Sequence, residues 1–162
     1  MKILYPDLLY EKIEDIDLAY LKEKGIKGFI LDIDNTLVIP HTPADERAKA
    51  FVNKLKEAGF KACIVSNNIP ARAKSFADGV ELDWVCDGNK PSAKPFLLAV
   101  EKLGLKKEEI AVVGDQVFTD IWGGNRQNMT TILVNPICDK ENKFIKFKRM
   151  MERIVMKGYK ND

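Results

Sequence analysis

Apolar residues fall along this chain in two alternating kinds of run. Phe29-Ile30-Leu31, Ala62-Cys63-Ile64-Val65, residues 82–86, Ile110-Ala111-Val112-Val113 and Thr131-Ile132-Leu133-Val134 are short and nearly uninterrupted. That is the pattern of strands buried on both faces. Longer runs between them carry apolar residues at helical spacing. Ala48, Phe51, Val52 and Leu55 predict a helix over 44–58, stopped by Gly59. A second helix opens near Pro70, and a third runs from Pro91 or Pro95 to Leu103, stopped by Gly104. Residues 4–22 hold Leu8, Leu9, Ile13, Ile16, Leu18 and Leu21 between acidic residues, which predicts helical pieces broken near Pro6 and around 15–17. Gly123-Gly124-Asn125-Arg126 breaks or ends a short helix before the last strand. The alternation predicts an α/β protein with a parallel five-stranded sheet. No repeat, linker or low-complexity stretch interrupts it, so one domain over 1–162 is expected.

The polar residues that matter follow the apolar runs. The first strand ends in Asp32-Ile33-Asp34-Asn35-Thr36, the second in Ser66-Asn67-Asn68, and the fourth in Gly114-Asp115, with Asp120 a turn later. In a parallel sheet these are carboxyl-edge positions, where ligands bind. Two crowded carboxylates are costly without a neutralising cation, so a hard metal such as Mg²⁺ is expected. One carboxylate can then attack phosphorus while the other moves a proton. Ser66, the amides beside it and the next helix start can donate to a phosphoryl oxygen. A lysine from 88–95 adds a point charge, and Gly114 lets the chain turn so that Asp115 projects. Each feature also has a plain structural alternative: a capping turn, an N-cap box, solvated lysines, a Gly-Asp turn. The ordered set across three strand ends favours the phosphoryl site.

Composition narrows the classes. The 162 residues are 46% hydrophobic and 31% charged, with net charge +2, an ordinary soluble balance that does not argue for nucleic acid. Cys63, Cys86 and Cys138 form no CxxC pair, which suits a reducing compartment and no disulfide partner. Residues 1–7 lack a secretory signal pattern, and no apolar run approaches a membrane span, so a cytoplasmic protein is expected. His41 is the single histidine, which excludes multi-histidine metal sites.

The ordered motifs resemble those of the haloacid dehalogenase phosphohydrolases, subclass III, over about residues 28–135. The resemblance implies the three-layer α/β/α Rossmann-like fold of that superfamily. It also implies Asp32 as a nucleophile forming an aspartyl-phosphate, and Asp34 as general acid/base. Mg²⁺ would be held by Asp32, Asp115 and the main-chain carbonyl of Asp34. Ser66, Asn67 and Lys90 would bind the phosphoryl group. Lys90-Pro91 and Lys94-Pro95 both qualify as the third motif; the spacing to Phe96 selects Lys90 and leaves Lys94 as a second phosphate contact. Thr36 and Asp120 would support the site. The intervals from Asp32 to Ser66 and from Ser66 to Lys90 are filled by core elements, so no cap domain is expected and the site should be open. Leu31–Leu37, Ile-Val-Ser-Asn-Asn and Gly-Gly-Asn-Arg together look like the YqeG family, which includes phosphatidylglycerophosphate phosphatases. That implies a lipid-phosphate substrate in phospholipid biosynthesis. A capless phosphatase for nucleic-acid ends or phosphoproteins is the main alternative. A receiver-type signalling domain or a module with an idle site accounts for fewer of the residues.

Residues 140–160 carry eight lysines and arginines against two glutamates. Lys146, Arg149, Arg153, Lys157 and Lys160 recur at helical spacing on one face; Phe144, Phe147, Met151, Ile154 and Val155 fall on another. Such a helix either packs its apolar face on the sheet or makes peripheral contact with the inner face of an anionic membrane.

Overall fold

A computed structural model of the protein describes residues 2–138 and 143–160. Lys140 and Glu141, part of the basic tail, lie outside the described residues. Six strands form one parallel sheet: β1 (Leu8–Tyr10), β2 (Gly28–Leu31), β3 (Lys61–Val65), β4 (Asp83–Val85), β5 (Ile110–Gly114) and β6 (Thr130–Val134). Their order is β1-β6-β5-β2-β3-β4, so β2 is central, between β5 and β3. Helices α1 (Leu18–Glu23), α2 (Glu46–Glu57), α3 (Pro70–Val80), α4 (Ala93–Leu103), α5 (Trp122–Arg126) and α6 (Lys143–Met156) surround it.

The two-residue period of β2 divides the core into layers. Phe29 and Leu31 join Phe51, Leu55 and Phe76 on one face; Ile30 joins Phe96, Ala99 and Leu103 on the other. All four β2 residues are buried. This is the expected α/β/α arrangement, with one correction: the sheet has six strands, not five. The sixth is Leu8–Tyr10, inside the segment expected to be helical. Three residues at a sheet edge leave no periodic signal. The strand exists because Leu8, Leu9 and Tyr10 pair with Ile132, Leu133 and Val134, and because the Asp7 carboxylate accepts the Thr131 N–H at 2.9 Å.

Helix limits follow local chemistry. Asp45 caps α2, its carboxylate accepting the Ala48 N–H at 2.8 Å, so the helix starts two residues later than the apolar spacing suggested. Pro70 is the first residue of α3. Neither Pro91 nor Pro95 opens α4, which begins at Ala93 and ends at a left-handed Gly104. The short helix expected to break or end over 123–126 is α5, which ends at Arg126, with Gly123 and Gly124 buried within it. A Cβ on Gly123 would overlap the Phe96 ring, so the glycine serves close packing against α4. Among the described residues, no helix is long and apolar enough to cross a membrane.

Candidate active site

The carboxyl ends of β2, β3 and β5 meet at one edge of the sheet. Asp32 prolongs β2 by one bond, its N–H donating to Val113 at 3.1 Å. The chain then doubles back, with Asn35 in the left-handed region at φ 63° and its N–H donating to Val38 at 2.8 Å. Ile33 and Leu37 are fully buried and anchor this turn. Thr36 Oγ1 lies 3.3 Å from Asp32 Oδ2 and 3.0 Å from Asp115 Oδ1, so its one proton can serve either carboxylate. The expected reason for Gly114, a tight turn, does not hold. Its φ is ordinary, and a Cβ there would overlap the Asp120 carboxylate. Asp120 comes from the π-helical turn Val117–Ile121 after β5.

Asp32, Asp115 and Asp120 each bring a carboxylate oxygen within 4.8 Å of the others. Asp115 and Asp120 are buried. Lys90 sits among them, its Nζ 2.7 Å from Asp120 Oδ1, 2.8 Å from the Val65 carbonyl and 2.9 Å from Asp32 Oδ1. All three ammonium hydrogens are thereby engaged. Asn67 holds this lysine in place. Its carboxamide accepts the Lys90 N–H at 2.7 Å and donates to the Lys90 carbonyl at 3.0 Å. Asn67, expected as a phosphate contact, lines the cavity that holds Asp32 and Asp34 and also clamps the Lys90 backbone. Lys94 stands apart from the cluster, exposed and paired with Asp87 at 3.2 Å. It is the second residue of α4.

Electrostatics follow from burial and neighbours. Burial would lower the Lys90 ammonium, but the charges of Asp120 and then Asp32 outweigh it and hold it above the ordinary lysine range. Burial pushes Asp120 up to about 6 against the pull of Lys90. Burial, then the charge of Asp32, raises Asp115 well above its usual value, against Arg149. Three acids thus face one buried lysine and one arginine. The donors are hard oxygens at close range, which fits Mg²⁺ better than a soft metal. Asp34 was expected to hold the metal through its main-chain carbonyl, and the third carboxylate of the cluster is that of Asp120.

Asp34 faces the other side of the opening. Oδ2 accepts Asn68 Nδ2 at 3.0 Å, while Oδ1 accepts Arg72 at 3.0 Å and the His41 N–H at 3.1 Å. Burial alone would raise this carboxyl, but those hydrogen bonds outweigh it and hold it below the ordinary range. Ser66 is buried, its Oγ accepting the Asn68 N–H at 3.1 Å. Asp32, Asp34, Ser66, Asn68, Ile69 and Ile145 line an open cavity of about 470 Å³. Asn68, expected as an amide donor beside Ser66, donates to Asp34; Arg72 was not singled out from sequence, and its position just after the Ser66 strand end was the available signal. Arg149 of α6 was assigned to the outer basic face. It turns inward instead, to the Asp115 carboxylate and carbonyl, beside buried Glu152. Nothing local in sequence marks that contact.

A pH prediction follows from Arg72. In Arg72→Gln the carboxylate form of Asp34 loses a charged donor, so its pKa should rise. The Asp34 limb of the kcat/KM profile is expected to move to higher pH, whichever proton role Asp34 plays. Because the native pKa is depressed, Asp34 stabilises the fold above its unfolded value, and that stabilisation is lost as pH falls through the native value. The Tm deficit of the variant should therefore shrink toward acid pH. An unmoved limb in the pH–rate profile would remove Asp34 from the proton transfers.

A family model described as "Hydrolase: haloacid dehalogenase-like hydrolase" matches residues 41–127. "Probable phosphatase YqeG" of Bacillus subtilis (strain 168) is 39% identical over 98% of this chain and 93% of its own. "Phosphatidylglycerophosphate phosphatase 1, chloroplastic/mitochondrial" of Arabidopsis thaliana is 28% identical over 89% of this chain, which spans 44% of the plant protein. A solved but uncharacterized protein of Listeria monocytogenes serotype 4b shares the fold, with TM-score 0.58 and 18% identity over 83% of this chain and all of its own.

Proposed function

The chain belongs to the haloacid dehalogenase-like hydrolases and is an enzyme of their phosphatase kind, and from that premise we propose that it is a Mg²⁺-dependent phosphatase of a lipid phosphate monoester, of the phosphatidylglycerophosphate class. The observation that carries the chemistry is the convergence of Asp32, Asp115, Asp120 and Lys90, with Asp32 and Asp34 both lining one open cavity.

Asp32 attacks phosphorus through a carboxylate oxygen. A P–O bond to Asp32 forms as the P–O bond to the leaving alkoxide breaks, and Asp34 supplies the proton that alkoxide takes up. In the second half Asp34, now a carboxylate, removes a proton from water. The water oxygen bonds to phosphorus, and Asp32 leaves as a carboxylate with inorganic phosphate released. Arg72 and Asn68 favour the ionised Asp34 that this half requires. Lys90 holds Asp32 in a fixed rotamer and offsets charge on the phosphoryl oxygens, while the Ser66 hydroxyl donates to them. Mg²⁺ held by Asp32, Asp115 and Asp120 would neutralise the surplus charge of the three acids when bound.

The lipid substrate is supported by two things: the plant relative's name as a phosphatidylglycerophosphate phosphatase, and the apolar side chains Ile69 and Ile145 that line the cavity. Only α2 and β3 lie between Asp32 and Ser66, and only α3 and β4 between Ser66 and Lys90, so no inserted domain covers the mouth among the described residues. Phosphate release should be measured with Mg²⁺ on vesicle-borne phosphatidylglycerophosphate, a small phosphate ester, phosphopeptides and 3′-phosphorylated DNA. The lipid is expected to give the highest kcat/KM. Faster release from DNA or peptide leaves the chemistry standing and overturns the substrate.

A further inference from the structure

Helix α6 faces the protein with its charged residues. Arg149 bonds Asp115, Glu152 is buried beside it, and only Val155 among the bulky apolar residues of the helix is buried. Phe144, Phe147 and Ile154 are 70%, 56% and 53% exposed, and Met151 is also exposed. These four residues follow one another at three- and four-residue steps, so they form a single apolar row along the outer surface. Lys143, Lys146 and Arg153 are exposed one residue before Phe144, Phe147 and Ile154, and exposed Lys157 follows the helix end, which sets basic side chains beside the apolar row. Glu152 is the only acid in α6, and it points inward, so the outer face carries no negative charge.

We propose that this face of α6 docks on an anionic lipid bilayer, with the apolar row in the acyl boundary and the basic row among the headgroups. This deepens the lipid-phosphatase reading and rests on it for its purpose, though the docking itself does not require catalysis. Two observations favour a bilayer over other occupants. A second copy packing face to face would bring the Lys143, Lys146, Arg153 and Lys157 rows of both chains together, which is repulsive. A membrane surface instead offers apolar depth and negative charge at one plane, matching two parallel rows of a single helix. The docked face is also tied to the chemistry. Ile145 of α6 lines the cavity that holds Asp32 and Asp34, across from Ile69, which is 64% exposed. The Arg149 contact fixes α6 to Asp115, so a docked helix holds the site mouth at the bilayer.

The test is sedimentation of the full chain with vesicles of phosphatidylglycerol and phosphatidylcholine, and with phosphatidylcholine alone, at low and high salt. Wild type is expected to bind the anionic vesicles, and to do so less at high salt. Lys146→Gln/Arg153→Gln/Lys157→Gln should weaken that binding by about a hundredfold, since each basic side chain near such a surface contributes roughly fivefold. Phe147→Ser/Ile154→Ser should weaken binding at both salt concentrations, because the apolar contribution is not screened. Both variants should hydrolyse a small soluble phosphate ester at the wild-type rate, since Asp32, Asp34 and Arg149 are untouched. That assay also reports misfolding. Wild type that fails to sediment with anionic vesicles, or variants that sediment as wild type does, would overturn the docking. A concentration-dependent dimer dispersed by Phe147→Ser/Ile154→Ser would assign the face to a second copy and equally overturn it. Vesicle binding without phosphate release from any ester would leave the docking intact and overturn the proposed activity instead.

Discussion

Asp32→Asn is expected to abolish phosphate release while leaving the protein folded. The amide is a poor nucleophile, and loss of a covalent nucleophile costs on the order of 10⁵–10⁶-fold in turnover. The substitution also removes one of three crowded carboxylates, and with it a charge that raises both Asp115 and Asp120. The same change costs Lys90 one of its two ionic partners. These two effects oppose each other, so Tm should move little. Rapid quench with ³²P-labelled substrate should trap acid-stable protein-bound label in wild type only if an acyl-phosphate forms, and none in Asp32→Asn. Full turnover in the variant, or in the presence of excess chelator, would remove the covalent, metal-dependent mechanism.

Lys90→Met should be the other large effect, and it separates the two lysine–proline pairs. The change keeps most of the buried volume but strands Asp120, whose carboxyl is already pushed up to about 6 and is held down chiefly by Lys90. Removing one partner of a buried ion pair costs about 3–5 kcal/mol. Thermal unfolding should show that loss, and kcat should collapse with it. Pairing with Asp120→Asn should recover much of the stability, because the stranded charge disappears, without recovering kcat. Lys94→Ala breaks an exposed pair with Asp87, worth about 0–1 kcal/mol. Its Tm and kcat are expected to match wild type. A dead Lys94→Ala beside an active Lys90→Met would move the phosphate-binding lysine to the other pair.

These expectations show how unevenly the site could be read from residues alone. Asp32 and Asp115 were legible because each directly follows an apolar run, and a strand buried on both faces must end at the edge where the sheet stops. Asp34 was legible as a residue but not in its surroundings. Its partners Asn68 and Arg72 lie at the start of another helix, and their reach to Asp34 depends on β3 lying beside β2. Gly114 was noticed for the wrong reason. Space for a carboxylate one turn ahead is a three-dimensional requirement, and a turn was the local explanation at hand.

By itself the sequence determined the alternation of strands and helices, the parallel sheet, and the strand ends at which the acids stand. Those features are encoded by burial period and by residues close together along the chain. The tertiary structure alone decided the rest. β1 forms because β6 offers an edge, not because Leu8–Tyr10 has a strong local preference. Asp120 enters the acidic cluster through the π-helical turn after β5, and Asn67 clamps the Lys90 backbone. The largest difference is α6. Helical spacing separates its apolar row from its basic row but does not say which row faces the protein. That choice rests on Arg149 meeting Asp115 across an interval of 34 residues. Once those charges are joined, Phe144, Phe147 and Ile154 can only face outward.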